Sequence, residues 1–244
     1  MARIWSLGAA LLLGCATGAS ALVGPAREES ALAAHVLMLL KNDGHGASFC
    51  TASVIAPDVL VTAGHCVSAP ENLRAWWPGG DLDQRIVAIA VHPLFRADAT
   101  QKRVKSIDLA MVRLARPLPP PFRPLPIAWD TQGGVGATLQ IAGYGLTREG
   151  DGRSAGKLHS GTLIVREPIS KILVWAKDPA SKGLGACTGD SGGPMLTAAG
   201  DALVAVTVWS QGTGKRQCGE LTQAARLAPQ RAFIEDTLRG WGMR

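Results

Sequence analysis

The stretch Cys187-Thr188-Gly189-Asp190-Ser191-Gly192-Gly193-Pro194 combines a nucleophile with a backbone that can bend sharply. Its three glycines permit tight turns and close approach to another molecule. A serine hydroxyl is a weak nucleophile until a neighbouring base accepts its proton. It also requires N–H donors directed at the oxygen that becomes negative during attack. The stretch therefore predicts a nucleophilic Ser191 inside its own oxyanion hole, although Gly, Asp and Ser also favour an ordinary surface turn.

A base and an acid that suit such a serine occur earlier in the chain. His65 follows a short apolar segment and precedes Cys66, where a disulfide would fix the position of the imidazole, as a general base requires. Asp108 precedes the apolar segment 109–114, and a carboxylate there is costly to bury without a partner. A histidine N–H is a suitable partner. The alternatives are a structural role for His65 and a salt bridge between Asp108 and Arg113.

The composition is that of a globular protein. Of the 244 residues, 47% are hydrophobic and 18% are charged, which is typical of a chain with a packed core. The length suits one large or two small domains. The net charge of +6 is modest, and the basic residues are scattered except in Lys102-Arg103-Val104-Lys105. We interpret that cluster as a solvated loop, and we expect no nucleic-acid partner and no cofactor.

Residues 1–21 have the pattern of a signal peptide. An apolar run from Ile4 to Leu13 is followed by the small-residue cleavage site Ala19-Ser20-Ala21. The mature chain would then begin at Leu22 and be secreted or periplasmic. The string Leu12-Leu13-Gly14-Cys15 also resembles a bacterial lipobox, and this alternative anchors the chain to the cell envelope at a lipidated Cys15. Without that anchor we expect no membrane contact, and the Ala/Arg-rich composition favours a bacterial source.

The cysteine count supports an exported protein. Once Cys15 is removed, Cys50, Cys66, Cys187 and Cys218 remain, and an oxidising compartment lets them pair. Three pairings are open, of which Cys50–Cys66 and Cys187–Cys218 are the local closures. A Cys/His zinc site that uses His65 is the alternative. The spacings lack a CxxC or HxxxH pattern, so we predict no metal.

Short apolar segments between Gly- and Pro-rich turns predict an all-β protein of two barrels or sandwiches. Residues 71–83 are predicted to form a loop and residues 229–240 a terminal helix. Six prolines between 116 and 126 predict a stiff connector. The boundary there separates residues 22–120, with His65 and Asp108, from residues 121–244, with Ser191. The predicted strands are 34–40, 49–55, 59–62, 85–92, 109–114, 138–142, 158–166, 171–176, 194–197 and 202–209.

These motifs, in the order His, Asp, Ser, closely resemble those of the chymotrypsin/trypsin family of serine proteases. The segment 62–66 is similar to the family's TAAHC motif with Gly64 in place of the second alanine, and 107–114 resembles its DIALL-type motif. The segment 189–194 matches GDSGGP without change. Val91-His92-Pro93, Gly143-Tyr144-Gly145 and Trp209 are smaller similarities. The resemblance covers nearly all of the mature chain and implies two six-stranded antiparallel β-barrels with the active site between them.

The resemblance also implies the roles of the site residues in a serine endopeptidase. Ser191 attacks the scissile carbonyl, His65 transfers its proton to the leaving amine, and Asp108 orients His65. The N–H groups of Gly189 and Ser191 form the oxyanion hole. The two local disulfides fall where the family has them, beside the histidine and across the specificity pocket. The substrates are proteins or peptides, and we expect a monomer.

Two further implications concern activation and specificity. In this family Asp190 pairs with the freed terminal amine, and Leu22-Val23-Gly24-Pro25 resembles the family's IVGG start. We hypothesise that signal peptidase itself creates this terminus. At the specificity pocket, Gly185 lacks the carboxylate that an Arg or Lys preference needs.

The other pocket positions also bear on specificity. Ser210 replaces a frequent glycine, and Thr222 forms a wall of the pocket. We predict a preference for small or medium apolar residues. Val208 replaces the serine that usually supports the triad aspartate.

Three rival interpretations are a catalytically weak or inactive homologue acting as a secreted binding domain, an esterase, and a cytosolic regulatory protein. No triad residue is lost, which argues against the first. The GxSxG elbow typical of esterases is absent around Ser191. The signal segment and the even mature cysteine count argue against the third.

Overall fold

The computed structural model describes residues 22–42, 44, 46–80, 84–131, 133–168 and 170–243. The predicted signal peptide, including Cys15, lies outside the described residues. Within them, no helix is long and apolar enough to cross a membrane.

Short strands dominate the described residues, because their β-branched and other apolar side chains suit a half-buried pleated surface. The strands are β1 (Arg27–Glu28), β2 (Val36–Asn42), β3 (Ala47–Ala56), β4 (Val59–Thr62), β5 (Leu73–Trp76), β6 (Ile86–Val91), β7 (Ala110–Leu114), β8 (Thr138–Gly143), β9 (His159–Val165), β10 (Leu173–Lys177), β11 (Pro194–Leu196), β12 (Leu203–Gln211) and β13 (Leu221–Arg226). The helices are α1 (Ala99–Lys102) and α2 (Arg231–Gly240). The predicted all-β fold with a C-terminal helix is confirmed.

The first sheet contains six antiparallel strands in the order β5-β2-β3-β4-β7-β6. Its interior is filled by apolar side chains that are inaccessible to solvent, among them Leu37, Leu60 and Met111. Among the described residues, the two edges of the sheet meet through an isolated bridge between Arg74 and Arg85 and a hydrogen bond from the Ala75 N–H to the Gln84 carbonyl at 3.1 Å. The sheet therefore curls towards a barrel without a full ladder between β5 and β6.

The second sheet is a closed ring. The strands β8, β9, β10, β13, β12 and β11 pair in that order, and β11 pairs with β8 to complete the circle. Leu139, Leu163 and Val174 belong to its core, and Leu22 packs with them. The two-barrel prediction is thus correct in strand number, and the two barrels differ in how completely they close.

Three strands lie where the sequence predicts none. Strand β5 falls within the predicted loop 71–83, and the burial of Leu73 and Ala75 against β2 explains its extended form. Strand β13 pairs with both β10 and β12 and completes the second ring. Strand β1 pairs with β9, so residues 22–28 lie on the second barrel although the sequence places them with the first half.

Candidate active site

Strand pairing brings His65 and Asp108 together. Strands β4 and β7 are antiparallel neighbours, with Thr62 opposite Ala110, so the residues after β4 and before β7 share one end of the sheet. The His65 Nδ1 lies 2.6 Å from Asp108 Oδ2, and the His65 backbone N–H donates to Oδ1 at 2.9 Å. Both carboxylate oxygens therefore hold the same residue, which fixes the position and the orientation of the imidazole.

Two neighbouring contacts explain why this pair forms. Arg113 binds Asp58 at 3.2 Å, so the alternative salt bridge between Arg113 and Asp108 is wrong. A Cβ at Gly64 would lie 3.0 Å from Asp108 Oδ1 and 3.1 Å from the Phe95 ring. Glycine in place of the family's alanine leaves this space to the carboxylate and the aromatic ring. Phe95 is a contributor to the site that the sequence alone did not indicate.

The bend around Ser191 is built on two glycines with left-handed backbone. Gly189 has φ +95° and Gly192 has φ +82°. A Cβ at Gly192 would lie 2.0 Å from Thr62 Oγ1 and 2.1 Å from the Thr51 carbonyl oxygen. The Gly192 N–H donates to the Thr207 carbonyl at 2.7 Å, which ties the bend to β12. Only glycine fits at this position, and the bend holds Ser191 at the surface of a cavity.

The backbone around Ser191 leaves two N–H groups for an incoming oxygen. The Thr188 carbonyl accepts from Leu146 N–H at 2.8 Å, and the Asp190 carbonyl accepts from Gly193 N–H at 2.9 Å. Because a trans peptide directs its N–H away from its carbonyl, the N–H groups of Gly189 and Ser191 point the other way. Neither has an acceptor among the described residues. This is the arrangement that an oxyanion hole requires.

Thr51 couples the two barrels at the site. Its N–H donates to the Ser191 carbonyl at 2.8 Å, and its Oγ1 donates to the Gly189 carbonyl at 2.8 Å. The same hydroxyl accepts from Tyr144 N–H at 3.1 Å. The sequence reasoning missed Thr51, because a threonine within a strand carries no local signal of contacts with residues more than ninety positions away.

A cavity of about 410 Å³ is lined by several of the predicted site residues. His65, Ser191 and Gly189 line it, together with the disulfides Cys50–Cys66 and Cys187–Cys218. The side chains of His65 and Ser191 share this cavity without a direct hydrogen bond in the described structure. Since Cys50 and Cys66 are bonded to each other, their sulfurs are not thiolate ligands for the zinc site considered from the sequence.

The predicted specificity residues differ in whether they line this cavity. Ser210 lines it, whereas Gly185 and Thr222 lie behind the lining residues and are buried. Thr222 Oγ1 accepts from Ala186 N–H at 3.0 Å, and a Cβ on Gly185 would lie 3.2 Å from that hydroxyl. Thr222 therefore occupies the space next to Gly185.

Asp190 is a fully buried carboxylate beside this pocket. Its Oδ1 accepts from Gly145 N–H at 2.8 Å and its Oδ2 from Cys187 N–H at 2.9 Å. Burial raises the pKa of Asp190 to about 7, against the smaller opposite effect of these two hydrogen bonds. No cationic side chain pairs with Asp190 in the part of the chain that the structure describes. The ionised carboxylate therefore lacks a compensating charge.

The chain segment that begins at Leu22 runs beside the same wall. Leu22 is 1% exposed, and Val23 exchanges two backbone hydrogen bonds with Gly185, at 3.1 and 3.2 Å. Gly24 has φ +84°, and a Cβ there would lie 2.5 Å from the Gly183 carbonyl oxygen. The segment is thus inserted into the second barrel, at a position where Gly24 has no room for a side chain.

Comparison with known sequences gives one family over most of the chain. The family described as Trypsin matches residues 26–230. The trypsin of Saccharopolyspora erythraea is 28% identical over 188 residues, which cover 70% of this chain and 79% of the relative. Trypsin epsilon of Drosophila erecta is 27% identical over 191 residues, which cover 69% of this chain and 70% of the relative.

Solved structures share the fold at lower identity. Neuropsin, a serine protease expressed in the limbic system of mouse brain, has a TM-score of 0.68 and 19% identity, over 88% of this chain and 99% of its own. The scabies mite inactivated protease paralogue S-I1 has a TM-score of 0.72 and 19% identity, over 89% of this chain and 99% of its own. Because the fold accommodates both, activity has to be argued from the site residues.

Proposed function

The chain belongs to the trypsin family and is a serine endopeptidase, and we propose that it cleaves protein or peptide substrates through His65, Asp108 and Ser191. The observation that carries this proposal is that the Asp108 carboxylate accepts hydrogen bonds from both the backbone N–H and Nδ1 of His65. With Nδ1–H donating to Asp108, the His65 Nε2 keeps its lone pair and serves as the base.

In the proposed mechanism His65 Nε2 accepts the Ser191 hydroxyl proton as Oγ attacks the scissile carbonyl. The carbonyl oxygen becomes negative and is stabilised by the N–H groups of Gly189 and Ser191. His65 then gives its proton to the leaving amine, and an acyl-enzyme remains on Ser191. Water attacks that ester by the same sequence of proton transfers and releases the acid.

We further propose a preference for small apolar side chains, such as alanine or valine, before the scissile bond. The supporting observations are the absence of a carboxylate at Gly185 and the close approach of the Thr222 hydroxyl to Gly185. A pocket shortened in this way accepts a small side chain and excludes an aromatic or long basic one.

We infer that activation uses the amine of a chain that begins at Leu22. A buried carboxylate without a cationic partner is unfavourable when ionised, and a terminal ammonium at Leu22 supplies the missing charge. The paired hydrogen bonds of Val23 support this arrangement. N-terminal sequencing of the secreted protein tests it, and a mature chain that starts at a lipidated Cys15 or downstream of Gly24 would contradict it.

The two disulfides and the family membership indicate a secreted protein. We propose export by a signal peptide that is cleaved after Ala21, with the lipid anchor at Cys15 as the alternative. Metabolic labelling of the exported protein with a fatty acid distinguishes these two routes.

The decisive test of the triad is labelling by a fluorophosphonate probe, with the site located by mass spectrometry. We expect label on Ser191 and none in the Ser191→Ala variant. In the same variant we expect kcat/KM for peptide cleavage to fall by about 10⁴-fold to 10⁶-fold, with an unchanged melting temperature. An unlabelled Ser191 in a protein shown to begin at Leu22 would instead favour the inactive-homologue interpretation.

A further inference from the structure

A second cavity, of about 740 Å³, shares His65, Val208 and Trp209 with the first, and Cys50 and Cys66 do not line it. His65 and Asp108 form its inner end, and Trp209 forms part of its floor. Trp209 is 43% exposed, which is unusual for so large an aromatic residue. An exposed aromatic side chain in a concave surface is typical of a binding site.

Under the proposed function, the cavity lies beside the acyl half of a bound substrate, because the side chain before the scissile bond then points towards Ser210. Trp209 precedes Ser210 in β12, so a chain that extends from that residue along the strand passes over Trp209 and enters the second cavity. Substrate residues two to four positions before the scissile bond therefore contact its walls.

The charges around this cavity are mainly positive. Of the charged residues that the structure describes in its lining, Arg96 and Lys105 are cationic, and Asp108 is the only anion. Asp108 is already bound by His65 through both oxygens. No acidic side chain forms an ion pair with Arg96 or Lys105 among the described residues. The outer part of the cavity thus presents two cations without a negative partner.

The two chain segments that carry Arg96 and Lys105 are linked by hydrogen bonds. The Arg96 N–H donates to Ser106 Oγ at 2.8 Å, and that hydroxyl donates to the Arg96 carbonyl at 3.3 Å. The Ile107 N–H donates to the Leu94 carbonyl at 3.2 Å and closes the same loop. The basic cluster that the sequence suggests is a solvated loop therefore faces the substrate cavity through Lys105.

We propose that this cavity selects substrates with a glutamate or aspartate two to four residues before the scissile bond. This inference rests on the proposed function, since it assigns the substrate class of the same site. An acidic side chain in this cavity is attracted by the positive charges of Arg96 and Lys105 and also contacts the apolar surface of Trp209. The enzyme then combines a small side chain at the scissile bond with an acidic one before it.

The test compares peptides that carry alanine before the scissile bond and either glutamate or glutamine at each of the three preceding positions. We expect kcat/KM for the best glutamate peptide to exceed that of its glutamine partner by about fivefold, which corresponds to roughly 1 kcal/mol. The ratio falls towards one in the Arg96→Gln/Lys105→Gln double variant. It also falls when the ionic strength is raised from about 0.05 M to about 0.5 M.

The control is Arg153→Gln, which removes an exposed cation outside both cavities and is expected to keep the ratio. Equal rates for glutamate and glutamine peptides, or a ratio unchanged in the double variant, overturn the proposal. Binding of the same peptide pairs to the Ser191→Ala variant, measured by fluorescence anisotropy, decides the charge preference without turnover. An unlabelled Ser191 and uncleaved peptides would count against the proposed function, while this binding ratio still supports or overturns the inference.

Discussion

We propose that Thr222 limits the depth of the specificity pocket. Its hydroxyl is held by the Ala186 N–H at 3.0 Å, and its side chain is almost completely buried next to Gly185. A buried threonine with its hydrogen bond satisfied does not rotate away at low cost, because the Ala186 N–H would be left without an acceptor. On this proposal the pocket is short in the ground state of the enzyme.

We expect Thr222→Gly to shift the preference towards larger side chains. Removing the methyl and hydroxyl groups of Thr222 opens the space next to Gly185. The ratio of kcat/KM for peptides with leucine to that for peptides with alanine before the scissile bond should then rise by about tenfold or more. Thr222→Ser is the matched control, because it keeps the acceptor for Ala186 and removes only the methyl group. An unchanged ratio in Thr222→Gly would show that another residue limits the pocket.

The residues proposed for catalysis could be predicted from the sequence because each stands in a distinctive local string. Asp108 and His65 are separated by 43 positions, yet the short sequence motif around each of them indicated its role. Thr51 and Phe95 could not be predicted. Their importance arises only from contacts that the fold creates, such as the hydrogen bond from Thr51 N–H to the Ser191 carbonyl.

The bend between Ser191 and β11 has no room for a side chain at Gly192. We expect Gly192→Ala to lower the free energy of unfolding by about 3–5 kcal/mol, because a Cβ there meets Thr62 Oγ1 and the rigid Thr51 carbonyl. Denaturant unfolding measures this loss, and fluorophosphonate labelling reports whether Ser191 is still presented.

The control for that prediction is Gly136→Ala. Gly136 has a similar φ of +85°, but its Cβ would meet nothing within 4 Å. We expect only the cost of the left-handed backbone there, about 1–2 kcal/mol. Equal losses in the two variants would mean that the close packing around Gly192 adds nothing.

Elements with clear apolar patterns were predictable, and elements defined by pairing were not. The segment 229–240 has helical periodicity, and α2 forms at Arg231–Gly240. Strand β1 has only two residues, Arg27 and Glu28, and both are exposed. Its extended form depends on hydrogen bonds with β9, which no local pattern reveals. Closure of the second ring by β11 and β8 is likewise a property of distant partners.

At the scale of the whole molecule, the segment 22–28 connects the two barrels. Residues 22–28 lie on the second barrel, and the chain then returns to the first barrel at β2. Thr51 of the first barrel in turn holds the backbone on both sides of Asp190 through the carbonyls of Gly189 and Ser191. The catalytic cleft therefore depends on both connections, and a change in the charge of Asp190 is expected to affect the stability of the whole fold.

We expect the pH dependence of stability to reveal whether Leu22 begins the chain. Burial raises the pKa of Asp190 to about 7 in the folded state, whereas an unfolded aspartate has a pKa of about 3.9. Between these values the folded state binds the proton more tightly, so this carboxyl favours folding at low pH, and its contribution is lost as the pH rises to about 7.

In a chain extended by Ala21, the free energy of unfolding should fall by a few kcal/mol from about pH 4 to about pH 7 relative to Asp190→Asn in the same chain. In a chain that starts at Leu22, the terminal ammonium stabilises the ionised carboxylate, and this difference should disappear. Denaturant unfolding of the four proteins across this range provides the measurement. If the free energy of unfolding of the two proteins that keep Asp190 fell equally with pH, whether the chain began at Ala21 or at Leu22, the terminal ammonium would not stabilise the ionised Asp190. That result would contradict activation by the amine of Leu22.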